Sequence, residues 1–202
     1  MVQTPVSPQS LFLALPPDLT LKVTPEQFAA LAVANRELRL ERTATGELIV
    51  NPPTGGQSGK RNCHITGQLS AWSIANEQLG EAFDSSTGFI LPNGANRSPD
   101  ASWVRRDRWD ALTPAQQEGF IPLCPDFVVE LRSHSDSLNT TRAKLQEYLN
   151  NGAQLGWLID PQNQRIEIYR PGQTIETLDH PDTISGEPTL PGFSLNLQRI
   201  WA

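Results

Sequence analysis

Residues 125–136 read PDFVVELRSHSD, and this stretch constrains the fold more than any other in the chain. Phe127, Val128 and Val129 form an unbroken apolar run, as in a strand buried in a sheet. Glu130 then stands where such a strand would take another Val, with Leu131 and the charged Arg132 behind it. An ionised side chain is almost never fully buried unless it is paired or binds a metal. Glu130 is therefore either neutralised by a structural partner or wanted as a charge.

The surrounding segments alternate between helix and strand. Thr24-Pro25-Glu26 opens a helix with a hydroxyl cap, Pro at the first helical position and an acid in the first turn. Phe28, Leu31 and Ala32 give its buried face. LRLER (38–42) and GELIV (46–50) flank turn residues and predict a β-hairpin. After NPPTGG, Ile65, Leu69, Trp72 and Leu79 recur at helical spacing, predicting a helix from about Ser58 to Leu79 that Gly80 ends. FDSSTGFILPNG predicts short strands, SPDASWV a strand entered through Pro99, and WDALTPAQQEGF one or two short helices.

A helix from Ser137 or Leu138 to Asn150 follows DFVVELR, capped by Asp136 or Ser137 and closed by Gly152. LGWLID and RIEIYR are two further strands, and a last one is expected at FSLNL. The order predicts an α/β fold with a mixed central sheet. Residues 1–23 carry several prolines without periodicity and are expected to form an arm, leaving 24–202 as one domain.

A net charge of −6 argues against a wholly basic nucleic-acid coat, though not against a local basic cleft. Cys63 and Cys124 are far apart, as expected of two reduced thiols in a cytoplasmic protein. LFLAL is too short for a signal core, and no apolar run approaches the ~18 residues of a membrane span.

Three constellations bear on chemistry. TGGQSGKRN fails as a P-loop, because Thr54 and Arg61 stand where Gly and a hydroxyl are required. Lys60 and Arg61 at a helix start can still attract phosphate, or be a solvated basic loop. His64, His134 and His180 lack zinc-site spacing, and no G-x-S-x-G is present. The third constellation concerns Glu130 itself. Residues two apart share a strand face, so Glu130 and Arg132 project together, about 6.5 Å apart. Asp100 begins a neighbouring strand. Lys144 lies at the margin of the apolar stripe Leu138, Thr141, Leu145, Tyr148 and Leu149, where its ammonium can reach over a strand end. Two carboxylates and a lysine suit Mg²⁺ and a phosphodiester. They equally suit an ion pair of Glu130 with Arg132 or Lys144.

SPDASWV, PDFVVELRS, the helix carrying Lys144, Tyr148 and Gly152, then LGWLID and RIEIYRP, closely resemble the Uma-type family of restriction endonucleases in the PD-(D/E)XK nuclease superfamily. The similarity extends through LRLERTATGELIVNPPTGG, FDSSTGFILPNG and LPGFSLNL, nearly all of the chain beyond the arm. It implies a restriction-endonuclease-like core with helices flanking the sheet, and endonucleolytic hydrolysis of DNA by water activated on Mg²⁺ or Mn²⁺. Asp100 and Glu130 are then the metal-binding acids, and Glu41 or Glu47 the superfamily's extra acid. Arg132 stands where the superfamily's lysine usually does. An arginine keeps its proton and cannot act as a base, but can fork a phosphate. The lysine is then Lys144, from the following helix.

Arg97, Arg105, Arg106 and Arg108 near Asp100, and Arg132 and Arg142 near Glu130 and Lys144, would with Lys60 and Arg61 line a basic cleft for DNA. A homodimer follows from the need for two centres to cut a duplex. The Arg132 replacement also leaves open a catalytically silent nuclease fold that binds nucleic acid or acts as a scaffold.

Overall fold

The alternation along residues 127–131 decides how the sheet is covered. In the computed structural model, which describes residues 20–202, the strand Phe127–Leu131 (β7) is buried along its whole length. Phe127, Val129 and Leu131 enter one apolar core, while Val128 enters a second on the opposite face. Glu130 points to that second face, as the period of two requires.

The chain runs α1 (Pro25–Ala34), β1 (Arg39–Arg42), β2 (Leu48–Asn51), α2 (Gly56–Ala75), β3 (Gly80–Asp84), β4 (Phe89–Ile90), β5 (Asn96–Arg97) and β6 (Ala101–Arg105). It continues through α3 (Arg106–Asp110), α4 (Pro114–Glu118), β7, α5 (Leu138–Asn150), β8 (Leu155–Asp160) and β9 (Arg165–Tyr169). It closes with β10 (Glu176–Asp179), β11 (Thr183–Ser185), β12 (Ser194–Asn196) and α6 (Gln198–Trp201). The central sheet has six strands in the order β10-β9-β8-β7-β6-β3. Only β7 and β8 run parallel, with Glu130 beside Leu158. Parallel neighbours need a crossover, and α5 supplies it. The sheet is therefore mixed and flanked by helices, as expected.

One face is covered by α2, through Ile65 and Leu69, and by the C-terminal segment, through Ile184, Leu195 and Ile200. The other is covered by α5, through Leu145 and Tyr148. α5 lies so close to β8 that a Cβ on Gly156 would stand 2.7 Å from a Leu145 methyl. A second sheet, β2-β1-β5-β4, pairs β1 with β5 at Arg42 and Asn96.

Most boundaries agree with the sequence. Thr24 and Gln27 form the capping box of α1, whose buried residue is Phe28, with Leu31 and Ala32 half-buried. The helix α2 differs. It starts at Gly56 and stops at Ala75, where the Asn76 side chain donates to the Trp72 carbonyl at 2.9 Å and closes the last turn. Leu79 thus lies outside the helix, and Gly80 opens β3 instead of capping α2. Its lack of a side chain is required there, since a Cβ would stand 2.2 Å from the Val104 carbonyl. Asp136 does not cap α5; its carboxylate accepts the Ser133 N–H at 2.8 Å, and Ser137 holds the cap position. The turn-rich tail also forms β10 and β11. Of the expected arm, residues 1–19 lie outside the described residues. Leu21 and Val23 run along the hairpin, with Val23 N–H donating to Gly46 O at 2.8 Å.

Candidate active site

Asp100 precedes β6 at the end where β7 finishes. Its N–H donates to Val129 O at 3.0 Å, and its Oδ2 accepts the Leu131 N–H at 2.9 Å. These two bonds bracket Glu130 and hold the carboxylates on adjacent strands side by side. From above, α5 lowers Lys144, whose Nζ lies 2.9 Å from Glu130 Oε1. One turn later Tyr148 donates its hydroxyl to the same Oε1 at 3.1 Å. The i, i+4 spacing puts both donors on one helix face.

A fourth group comes from the smaller sheet. Glu41, on β1, accepts Lys144 at 2.9 Å on Oε1 and Arg97 at 3.1 Å on Oε2. The Ser98 N–H adds a third bond at 3.3 Å, on the oxygen that Lys144 also occupies. Arg97 is pinned in turn by Glu147 of α5 at 2.6 Å. The Lys144 ammonium therefore bridges two buried carboxylates, the arrangement that makes burial of such charges tolerable.

The electrostatics follow from crowding. Burial pushes the Glu130 carboxyl from its ordinary 4.5 up to about 7; Lys144 draws it down, and Asp100 and Glu41 push it up further. Asp100 is raised by burial against the pull of Lys144 and the Leu131 N–H. Burial also acts on Glu41, but Lys144 and Arg97 outweigh it and hold the group below its usual range. Burial would strip the Lys144 proton, yet Glu130, Glu41 and Asp100 together hold it more tightly than in water. Lys144 is thus a fixed cation.

The oxygens not engaged in these bonds decide what the centre can hold. Glu130 is bound through Oε1 and Asp100 firmly through Oδ2, so Oε2 and Oδ1 keep spare lone pairs. Asn62 of α2 donates to Asp100 Oδ1 at a long 3.3 Å, while its own Oδ1 is buried without a partner. Two carboxylate oxygens and an orphaned amide oxygen are hard ligands of the kind Mg²⁺ and Mn²⁺ take together with several waters. Among the described residues no three Asp, Glu, His or Cys side chains make a complete ligand cage, so water would fill the remaining positions.

Comparison with known proteins agrees with this architecture. A family described as "Putative restriction endonuclease", Uma2, matches residues 25–198. The chain belongs to the Uma2 family. A crystal structure titled as a "putative nuclease belonging to DUF820", from Anabaena variabilis, superposes with a TM-score of 0.75 at 22% identity. The match covers 89% of this chain and 97% of that one, and shows a shared fold. A DrdV–DNA complex overlaps 60% of this chain and 10% of that one, at 16% identity and a TM-score of 0.37, too distant to bear on either fold or site. No curated protein matches the chain.

In this Uma2 chain the other expected residues are dispersed. Arg132 shares the Glu130 face, but its guanidinium turns sideways to Asp160 on β8 at 2.9 Å and to the Asp136 carbonyl at 3.1 Å. It does not meet Glu130 or Lys144, because β7 has ended and the buried Asp160 offers the nearer countercharge. Glu47 sits at the hairpin turn, bridged through its backbone to Lys22, and has no contact with Lys144. Arg105, Arg106 and Arg108 do not surround Asp100. They lie at the far end of β6 and in α3, about 17 Å along the strand from Asp100, paired with Asp107, Glu81 and Asp126. Arg142 is paired with Glu167. Lys60 is exposed in the second turn of α2, and Arg61 donates to the Ile200 carbonyl at 2.8 Å.

Three contributors escaped the sequence reading: Tyr148 as a donor, Asn62, and Arg97 as the partner of Glu41. Tyr148 belonged to an apolar stripe, and its place beside Lys144 in the family pattern and its terminal hydroxyl, which a buried Tyr must satisfy, were the hints of more.

Proposed function

We propose that the chain is a divalent-metal-dependent endonuclease that hydrolyses phosphodiester bonds of DNA. The observation that carries this reading is the Lys144 ammonium 2.9 Å from Glu130, with Asp100 held directly alongside by β7. Asp100 and Glu130 would hold Mg²⁺ or Mn²⁺ through their spare oxygens. Such a cation, when bound, neutralises phosphate charge and acidifies a water. In hydrolysis, water oxygen adds to phosphorus and its proton passes to solvent, while the bond to the leaving oxygen breaks and that oxygen takes a proton from solvent. Without a bound cation the surrounding carboxylates keep Lys144 charged. Its role is to stabilise the negative charge gathering on the phosphoryl oxygens and to hold Glu130 in place.

A second reading rests on one observation. Lys144 already neutralises Glu130 and Glu41 directly, so the cluster is also a self-sufficient buried ion pair. A silent nuclease fold acting as a nucleic-acid-binding or scaffold module would keep it for stability alone.

The deciding experiment is Mn²⁺ binding, followed by paramagnetic resonance, beside cleavage of supercoiled DNA. The enzyme reading expects binding and EDTA-sensitive cleavage, both lost in Asp100→Asn and Glu130→Ala, with Lys144→Ala binding metal but failing to cut. Absence of metal binding by the wild-type protein would leave the silent reading.

Further proposals accompany this one. A duplex cutter needs two centres, so a homodimer is expected in sedimentation. Cys63 and Cys124 are both free, which supports a reducing, cytoplasmic location. No helix among the described residues is long and apolar enough to cross a membrane.

A further inference from the structure

We infer that Arg39, on β1, grips the phosphate of the substrate beside Asp100, taking the place that Arg132 has in the sequence pattern. This rests on the nuclease reading for the identity of the substrate, but the geometry stands by itself. Arg39 and Glu41 are two apart on one strand and share a face. Glu41 is turned into Lys144, and Arg39 towards Asp100 of the same centre.

The contacts of Arg39 are all unfinished. Its Nη2 lies 3.9 Å from Asp100 Oδ1, beyond hydrogen-bond reach, and 3.5 Å from the Ser98 carbonyl. Its Nε is buried without a partner. The side chain is 35% exposed, so an incoming group can reach it. Arg97, at the same centre, donates to Glu41 and Glu147, while Arg132 and Arg142 further out are taken up by Asp160 and Glu167. Arg39 is the guanidinium there that retains its forked donors.

The Ser98 carbonyl links the two sides, accepting Lys144 at 3.4 Å and Arg39 at 3.5 Å. A fixed cation and an unspent one thus flank Asp100 and Glu130. A guanidinium offers two parallel N–H donors matched to the oxygens of a phosphodiester. A phosphate seated there would meet the exposed part of the guanidinium and lie next to the carboxylates that would hold the cation.

The test is fluorescence anisotropy of a labelled DNA duplex across a salt series, with Ca²⁺ present. It compares wild type, Arg39→Ala, Arg39→Lys and Arg170→Ala, the last pairing with Glu176 at the distant sheet edge. Arg39→Ala is expected to weaken binding roughly tenfold and to reduce the slope of log K against log salt by about one. Arg39→Lys should restore the slope without restoring the cleavage rate in Mg²⁺, since a lysine lacks the fork. Arg170→Ala should leave both unchanged, and Mn²⁺ affinity should survive in every variant. An unaltered salt slope in Arg39→Ala overturns the assignment, even where Glu130→Ala abolishes cleavage and the nuclease reading stands. Wild-type binding without cleavage, with the slope still reduced in Arg39→Ala, keeps the assignment and sinks the nuclease reading. A wild-type protein that binds no duplex overturns the assignment.

Discussion

Tyr148 donates its hydroxyl to Glu130 at 3.1 Å inside the interface between α5 and the sheet, where both side chains are buried. The bond lands on the oxygen that Lys144 also occupies, so the second carboxylate oxygen is left for another ligand. Tyr148→Phe keeps the ring packing and deletes that one donor. It is expected to cost about 1 kcal/mol, or about 2–4 °C in Tm for a chain of this size. Calorimetry checks it; an unchanged Tm would mean the hydroxyl does not hold Glu130.

Glu130 makes stability depend on pH in an unusual direction. Its folded value of about 7 lies above the ordinary 4.5 because burial favours the neutral carboxyl. The folded state therefore binds more protons than the unfolded one between these values. The contribution is fully present below about pH 4.5 and is lost as pH rises towards 7, a difference of about 3 kcal/mol. Glu130→Gln mimics the neutral form and lacks this loss. Urea unfolding in EDTA at pH 5 and pH 8 should show the variant gaining on the wild type by about that amount. A gap that stays constant with pH would contradict a raised carboxyl.

Arg132→Ala should behave as a structural mutation. It strips Asp160, whose side chain is only 5% exposed, of its guanidinium. The Asn163 amide and the Gln162 N–H still reach Asp160, so the cost is expected at about 2 kcal/mol, below that of fully orphaning a buried charge. The salt dependence of DNA binding should not change. A reduced salt slope with unchanged stability would return Arg132 to the phosphate.

Two glycines separate packing from propensity. Gly80→Ala forces a Cβ to within 2.2 Å of the Val104 carbonyl and should cost about 3 kcal/mol. Gly67, inside α2, has nothing within 4 Å of that position. Gly67→Ala should stabilise by up to about 1 kcal/mol. Chemical denaturation of both variants is the check; equal effects would refute the close approach at β3.

These partners differ in how far the sequence revealed them. PDFVVELR was legible because an apolar run fixes a buried strand, and a carboxylate within it demands an explanation. Lys144 was legible from the margin of its helical stripe. Arg132 misled, since a strand's period gives the face of a side chain but not its neighbour there, and Asp160 is brought alongside only by the β7–β8 pairing. The arginines at 105, 106 and 108 are close to Asp100 in number yet distant in space, because β6 is extended. Asn62 and Arg39 carried no local signal at all, as their meaning arises where α2 and β1 converge on Asp100.

The parallel pairing of β7 with β8 through α5 also has a consequence for how the molecule is made. Glu41, Asn62, Asp100, Glu130 and Lys144 come from five separate segments, and the last to be synthesised is α5. A nascent chain that has not yet delivered α5 from the ribosome holds both acids without their ammonium. The charge cluster can close only after most of the polypeptide has emerged and the crossover has docked. Assembly of the cluster is thereby tied to delivery of α5, and a fragment that stops before it carries no assembled centre.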